Sequence, residues 1–213
     1  MNKKAVRLFF SKKGRAVYIS LLDLLRTMQR ALKRAGIPVW YSEGFNPRIY
    51  LNFPLALSVG IDGEHEAMDF YITDEISFET IVDDLNAVLP EGLHALSAAA
   101  PVHLNKEITS ARYIVRADGI TEEQFCALLS QSAIEVQKHS KKKGMVTVDI
   151  KPHVKVKDII RTESGIIFTL DLPAGNELNL NPTLFTDKLT EGTGGDIVSI
   201  TRTKIFCGEN ELR

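Results

Sequence analysis

The residues best equipped for chemistry lie between Tyr41 and Leu57, in the run Y-S-E-G-F-N-P-R-I-Y-L-N-F-P-L-A-L. Tyr41 and Phe45 offer rings on which bases stack, Arg48 can grip an anion, and Asn46 can meet a base edge. Gly44 permits positive φ or close backbone approach, while Pro47 stiffens the segment and restricts Asn46. Just upstream, Arg26, Arg30 and Lys33 recur at spacings of four and three, which places them in one stripe of a helix, with Arg34 at its border. Lys12, Lys13 and Arg15 precede that helix and Arg48 follows it. If these cations converge, the site suits phosphates or another polyanion. Two local readings compete: cations near a helix C-terminus oppose the macrodipole, and the aromatics can serve as buried anchors with Arg48 paired to Glu43. A second basic run, Lys138 to Gly144, is predicted at a hairpin tip. There Lys141, Lys142 and Lys143 either solvate a turn or extend the same footprint.

Familiar catalytic machinery is missing from the sequence. His65, His94, His103, His139 and His153 lack the spacing that zinc sites use. Neither Cys126 nor Cys207 has a neighbouring base, and no G-x-S-x-G elbow occurs. Cys126 reads as a small core residue of a helix. The glycines of E-G-T-G-G-D, at Gly192, Gly194 and Gly195, form neither phosphate-binding fingerprint and are expected to turn a helix into the last strand. Two cysteines cannot ligate an iron–sulfur cluster. No catalytic residue, metal or cofactor is therefore assigned. An enzyme using Asp23, Glu43 or His139 as acid or base ranks last, because no spacing forces two such groups together.

Charge is unevenly distributed. Residues 1–48 hold eleven Lys/Arg against two acids, a surplus of +9, and residues 49–100 hold ten acids and no Lys/Arg. The net charge of −1 conceals both blocks. The acidic block is expected either to repel nucleic acid from one face or to dock a basic partner. Apolar content of 44% and charged content of 25% are those of a soluble globular chain. No run approaches the ~18 apolar residues of a membrane span. The basic N-terminus reads as a first strand instead of a signal peptide, and sparse cysteines fit a cytoplasmic location.

The elements that must position these residues follow from periodicity. Residues 5–10 read as a strand that 16–19 extends or pairs with. Ser20 and Asp23 form a capping box ahead of Leu21, Leu25, Met28, Leu32 and Ala35, with Gly36 and Pro38 as stop signals. Strands are predicted over 38–42, 49–53, 67–72 and 93–99, and a second helix over 78–89. The order β-α-β-β-(β)-α-β is the split βαβ, or ferredoxin-like, pattern. After a polar linker over 101–110 the order recurs: strands over 112–117, 134–138, 145–150, 166–172 and 197–205, with helices over 121–132 and 182–189. Lys151, Lys155 and Lys157 alternate with apolar residues as an edge-strand device. The expected fold is α+β, two tandem ferredoxin-like domains with antiparallel sheets, spanning 1–104 and 105–213.

The block S-L-L-D-L-L-R-T-M-Q-R-A-L-K-R-A-G-I-P-V-W-Y-S-E-G-F-N-P-R, continuing to L-N-F-P-L-A-L-S-V-G, resembles the radical SAM-linked bacterial family. In that family the domain stands beside, or fused to, a B12-binding radical SAM protein. The resemblance covers essentially the whole chain and is most specific over 20–60. It implies a radical SAM partner and an RNA-related role. Tandem ferredoxin-like domains also resemble CRISPR repeat-processing endoribonucleases by fold analogy, but no histidine here matches their catalytic one. The expectation is a non-catalytic accessory module that binds tRNA or rRNA and presents it to the partner. The alternative is a domain that docks the partner without touching RNA.

Overall fold

A computed structural model of the chain describes residues 3–140 and 144–213. These residues form a mixed α+β protein with mostly antiparallel sheet and four α-helices, divided into two compact units. Unit 1 comprises Met1–Ile108 with Lys204–Arg213, and unit 2 is Thr109–Thr203. The expectation put every residue after 104 in the second domain; instead, the last ten residues belong with the first unit.

Unit 1 runs β1 (Lys4–Lys12), α1 (Leu21–Arg34), β2 (Leu51–Asn52), β3 (Asp62–Ile72), α2 (Phe78–Asn86) and β4 (Leu93–Ala99). In space the order is β4-β1-β3-β2, every neighbouring pair antiparallel. Strand alternation sends Val6, Leu8 and Phe10 of β1 and Met68, Phe70 and Ile72 of β3 to one face. There they form the core with Leu24, Met28, Ala31 and Leu32 of α1 and Ile81 and Leu85 of α2. Helix α1 starts where expected: the Ser20 hydroxyl oxygen accepts from the Asp23 N–H, and Gly36 takes φ 69° after the last turn. Its buried stripe is rotated relative to the expected one, because Leu24 and Ala31 are buried while Leu21 is exposed. Residues 16–19 also depart from expectation. Gly14, at φ 57°, ends the strand and Gly14–Tyr18 forms a 3-10 turn, with Lys13 N–H bonded to Gly92 O.

The opposite charges of the two sequence blocks meet within this unit, because β1 is basic, β3 is acidic and they are neighbours. Arg7 pairs with Asp69, and Lys13 with Glu64; Lys4 of β1 pairs with Glu75, just beyond β3.

Unit 2 runs β5 (Ser110–Asp118), α3 (Glu122–Ser130), β6 (Glu135–Ser140), β7 (Gly144–Asp149), β8 (Lys155–Arg161), β9 (Gly165–Pro173), α4 (Thr183–Thr190) and β10 (Asp196–Cys207). The last four residues of β10 belong to unit 1, where they lead to β11 (Asn210–Glu211). The spatial order is β10-β5-β9-β8. A capping box opens α3: Thr121 N–H donates to Gln124 Oε1 and Gln124 N–H donates to Thr121 Oγ1. Phe125, Phe168 and Phe185 pack as a triad with centroids 4.7–5.9 Å apart. The predicted strands 134–138 and 145–150 form a hairpin, β6-β7, that is a separate two-stranded sheet. The strand that pairs with β9 at the edge is β8, whose lysines fit the edge reading. Cys126 is exposed, not core, because the buried side chains of its helix are Phe125 and Leu128.

One packed ring in unit 1 is titratable. His65 of β3 stacks on Phe9 at 4.5 Å. Burial holds its pKa below the ordinary 6.5; Lys204 adds to this, while Glu211 and Glu66 oppose it. Below pH 6.5 the unfolded chain therefore binds the proton that the folded chain refuses. Stability is full above that pH and declines as pH falls toward the folded-state pKa. His65→Phe keeps the stack and removes the proton site, so its melting temperature should decline less between pH 7.5 and 5.5. Equal declines in the two proteins would reject this assignment.

Candidate functional site

Helix α1 and the segment that follows it build a groove from one helical stripe and one short ribbon. Tyr41 and Ile49 form a β-bridge, the Ser42 N–H donates to the Arg48 carbonyl at 2.8 Å, and the Arg48 N–H donates to the Ser42 hydroxyl at 3.1 Å. These bonds close residues 42–48 into an exposed loop in which Gly44 takes φ 121°. Gln29 Nε2 donates to Ile49 O at 2.9 Å and so ties the ribbon to α1.

Between helix and ribbon lies a shallow groove of about 250 Å³ lined by Arg26, Gln29, Arg30, Lys33, Tyr41, Pro47, Arg48 and Ile49. Four cations and one tyrosine ring line it, and no carboxylate does. Arg26 lies 3.5 Å from Asp23. Among the described residues, Arg30, Lys33 and Arg48 form no ion pair, although all three are exposed. A neighbouring cavity of about 420 Å³ shares Arg30 and Lys33 and adds Thr27, Arg34 and Pro90. Arg34 Nη2 donates to Val88 O at 2.6 Å, which anchors it beside that cavity. Chemically the arrangement can neutralise a row of anionic oxygens and set a ring against one of them. Among the described residues no three His, Cys, Asp or Glu side chains are grouped to hold a metal. Among the described residues no helix is long and apolar enough to cross a membrane.

Of the residues expected to act together, the groove unites Arg26, Arg30, Lys33, Tyr41 and Arg48, with Arg34 in the adjoining cavity. It does not unite the others. Lys12 is buried and its ammonium donates to Val17 O at 3.1 Å, so it cannot meet a ligand at the surface. Lys13 is paired with Glu64, and Arg15 sits exposed on the 3-10 turn. Phe45 and Asn46 are exposed in the loop, outside the groove lining, with Phe45 at 105% of its reference area. Lys141, Lys142 and Lys143 lie outside the described residues. Gln29, Pro47 and Ile49 also line the groove without having been expected as binding residues, although the position of Gln29 three after Arg26 puts it in the same helical stripe.

A family model described as "Uncharacterized protein conserved in bacteria (DUF2344)" matches residues 5–182. No curated protein matches. Among solved structures, the chain is similar to one in "Crystal Structure of a Cbf5-Nop10-Gar1 Complex", at 11% identity and TM-score 0.48, over 94% of this chain and 48% of that one. It thus spans about half the length of that relative. It also matches an unknown protein from Galdieria sulphuraria at 15% identity and TM-score 0.29, over 94% and 99% of the two chains. At such scores neither likeness carries an argument about function.

Proposed function

The chain belongs to this family of bacterial proteins, and for it we propose a non-catalytic accessory module that binds tRNA or rRNA and presents it to a radical SAM enzyme. The observation that carries the RNA reading is the groove beside α1, whose lining holds no carboxylate: Arg30, Lys33 and Arg48, which form no ion pair among the described residues, converge there with Arg26, whose partner is Asp23. Leaving such charges unpaired costs mutual repulsion, and a polyanion relieves it. The strand orders β4-β1-β3-β2 and β10-β5-β9-β8 support reading both units as split βαβ, ferredoxin-like folds, with β6-β7 inserted in the second. The test is binding of the purified protein to bulk tRNA and rRNA fragments across a salt series. With about four phosphates neutralised on a single strand, the log–log slope should be close to −3. Weak binding that does not change with salt would overturn the reading.

A specific feature supports the docking half of the role. Tyr18, Leu21, Leu22 and Val59 are exposed at the start of α1, and the Gly60 N–H donates to Val17 O, which brings the 58–60 turn alongside. Adjacent exposed apolar side chains of this kind mark protein contacts. They stand at the opposite end of α1 from Arg30 and Lys33, as a bridging role requires. Co-purification of a radical SAM protein that survives ribonuclease but is lost in Tyr18→Asp/Leu22→Asp is the expected result. Loss of the partner on ribonuclease treatment alone would remove the docking surface from the proposal.

A further inference from the structure

The ribbon that walls the groove has a second face. Alternation sends Tyr41 and Ile49 toward α1, and Trp40 and Tyr50 to the other side. There they meet Tyr71 of β3, which alternates with the core residues Phe70 and Ile72. The Trp40 N–H donates to Tyr71 O at 2.8 Å, so backbone bonding fixes the pair. The Trp40 and Tyr71 rings lie 6.1 Å apart at 82°, and those of Tyr50 and Tyr71 lie 5.2 Å apart at 42°. Lys3 holds its ammonium 3.9 Å from the Trp40 centroid and 4.5 Å from that of Tyr71. Tyr50 is 44% exposed and the other two rings are half-buried.

Three aromatic rings thus gather on the sheet face turned away from the apolar core, with a cation beside them. The acids close to Tyr71 in sequence are engaged: Asp69 is held by Arg7 through two bonds of 2.7 and 2.8 Å, Asp74 accepts from the Thr73 hydroxyl at 3.3 Å, and Glu75 pairs with Lys4. The ammonium of Lys3 beside the rings favours an anionic ligand that also has flat apolar faces. A nucleic acid strand with unpaired bases has both properties; a duplex hides its base faces. Because the two sites occupy opposite faces of one ribbon, a strand held in the groove reaches the rings by passing the exposed tip at Phe45.

We infer that Trp40, Tyr50 and Tyr71, with Lys3, form a stacking platform for unpaired bases of the RNA whose phosphates occupy the groove. This rests on the RNA reading above and narrows the ligand to single-stranded segments, such as loops or ends. Stacking is sequence-tolerant, so the platform distinguishes unpaired from paired RNA without reading a sequence.

Trp40 is the only tryptophan of the chain, so its fluorescence reports on the platform alone. The probes are a single-stranded oligouridylate and an abasic oligomer of equal length, titrated at low salt. The expected result is quenching of Trp40 by the oligouridylate and roughly ten- to hundred-fold tighter binding than the abasic strand. Tyr50→Ala should reduce that preference and Tyr71→Phe should keep it. Equal affinities with unchanged fluorescence would overturn the platform while leaving the phosphate groove intact. Failure of both oligomers to bind would overturn the platform and the RNA reading together.

Discussion

Exchanging Arg30 and Arg48 together for glutamate is expected to abolish RNA binding while leaving the melting temperature where it was. Both side chains are exposed and, among the described residues, form no ion pair, so their loss removes no native partner. Surface changes of this sort move stability by no more than about 0.5 kcal/mol. Their effect on a polyanion is large because each reversal removes a cation and adds an anion to the same groove. Four cations become two opposed by two acids. The wild-type slope of about −3 should then collapse toward zero, with affinity at low salt falling on the order of a hundredfold or more. Arg30→Gln/Arg48→Gln should fall between the two, since it removes the attraction without adding repulsion. A retained slope in the double reversal would mean that other cations hold the RNA.

Helix position alone does not explain those cations. A helix dipole rewards positive charge near its C-terminus, and Lys33 and Arg34 occupy the last turn of α1. That accounts for Lys33 of the stripe and for Arg34 at its border. It does not account for Arg26, more than a turn earlier, or for Arg48, which reaches the groove from the ribbon. Their common feature is the cavity they line.

Much of this architecture was legible from local pattern. Periodicity located each of the four α-helices among the described residues, and Ser20, Gly36 and Pro38 bracketed α1 because capping and stop signals act over a few residues. Features set by long-range pairing were less visible. Lys12 looked like part of a basic patch, yet strand pairing and a register shift between Phe10 and Lys12 bury it. Segment 134–150 read as two strands about a hairpin tip, and these pair as a sheet of their own, while β8, which the predicted strands did not include, pairs with β9. The return of residues 204–213 to unit 1 leaves no local trace at all. The groove fell between these limits. Its helical stripe was plain, but which rings of the ribbon faced it depended on the phase of alternation: Tyr41 lines the groove and Phe45 stands outside its lining.

Arg7→Met should produce the largest loss of stability in the protein, because Arg7 is the centre of a polar network the core cannot replace. Its side chain is only 1% exposed. Nε and Nη2 donate to both oxygens of Asp69, Nη1 donates to His103 O and Arg213 O, and Nη2 also donates to Asn105 Oδ1. One guanidinium thus links β1 to β3, to residues 103–105 and to Arg213, two residues beyond β11. Guanidinium geometry suits this task, since five donors in a fixed plane can satisfy a carboxylate and two carbonyls at once. Methionine has similar bulk and no donor. It would leave a largely buried carboxylate and two carbonyls without their partner, at a cost of about 3–5 kcal/mol. Removing both charges is gentler than removing one, so Arg7→Met/Asp69→Leu should recover part of the loss. Urea unfolding of the two variants provides the measurement. If the double variant were no more stable than the single one, the unpaired Asp69 would not be the source of the damage. The loss would then belong to the carbonyls of His103 and Arg213, and to the tail they hold against the sheet.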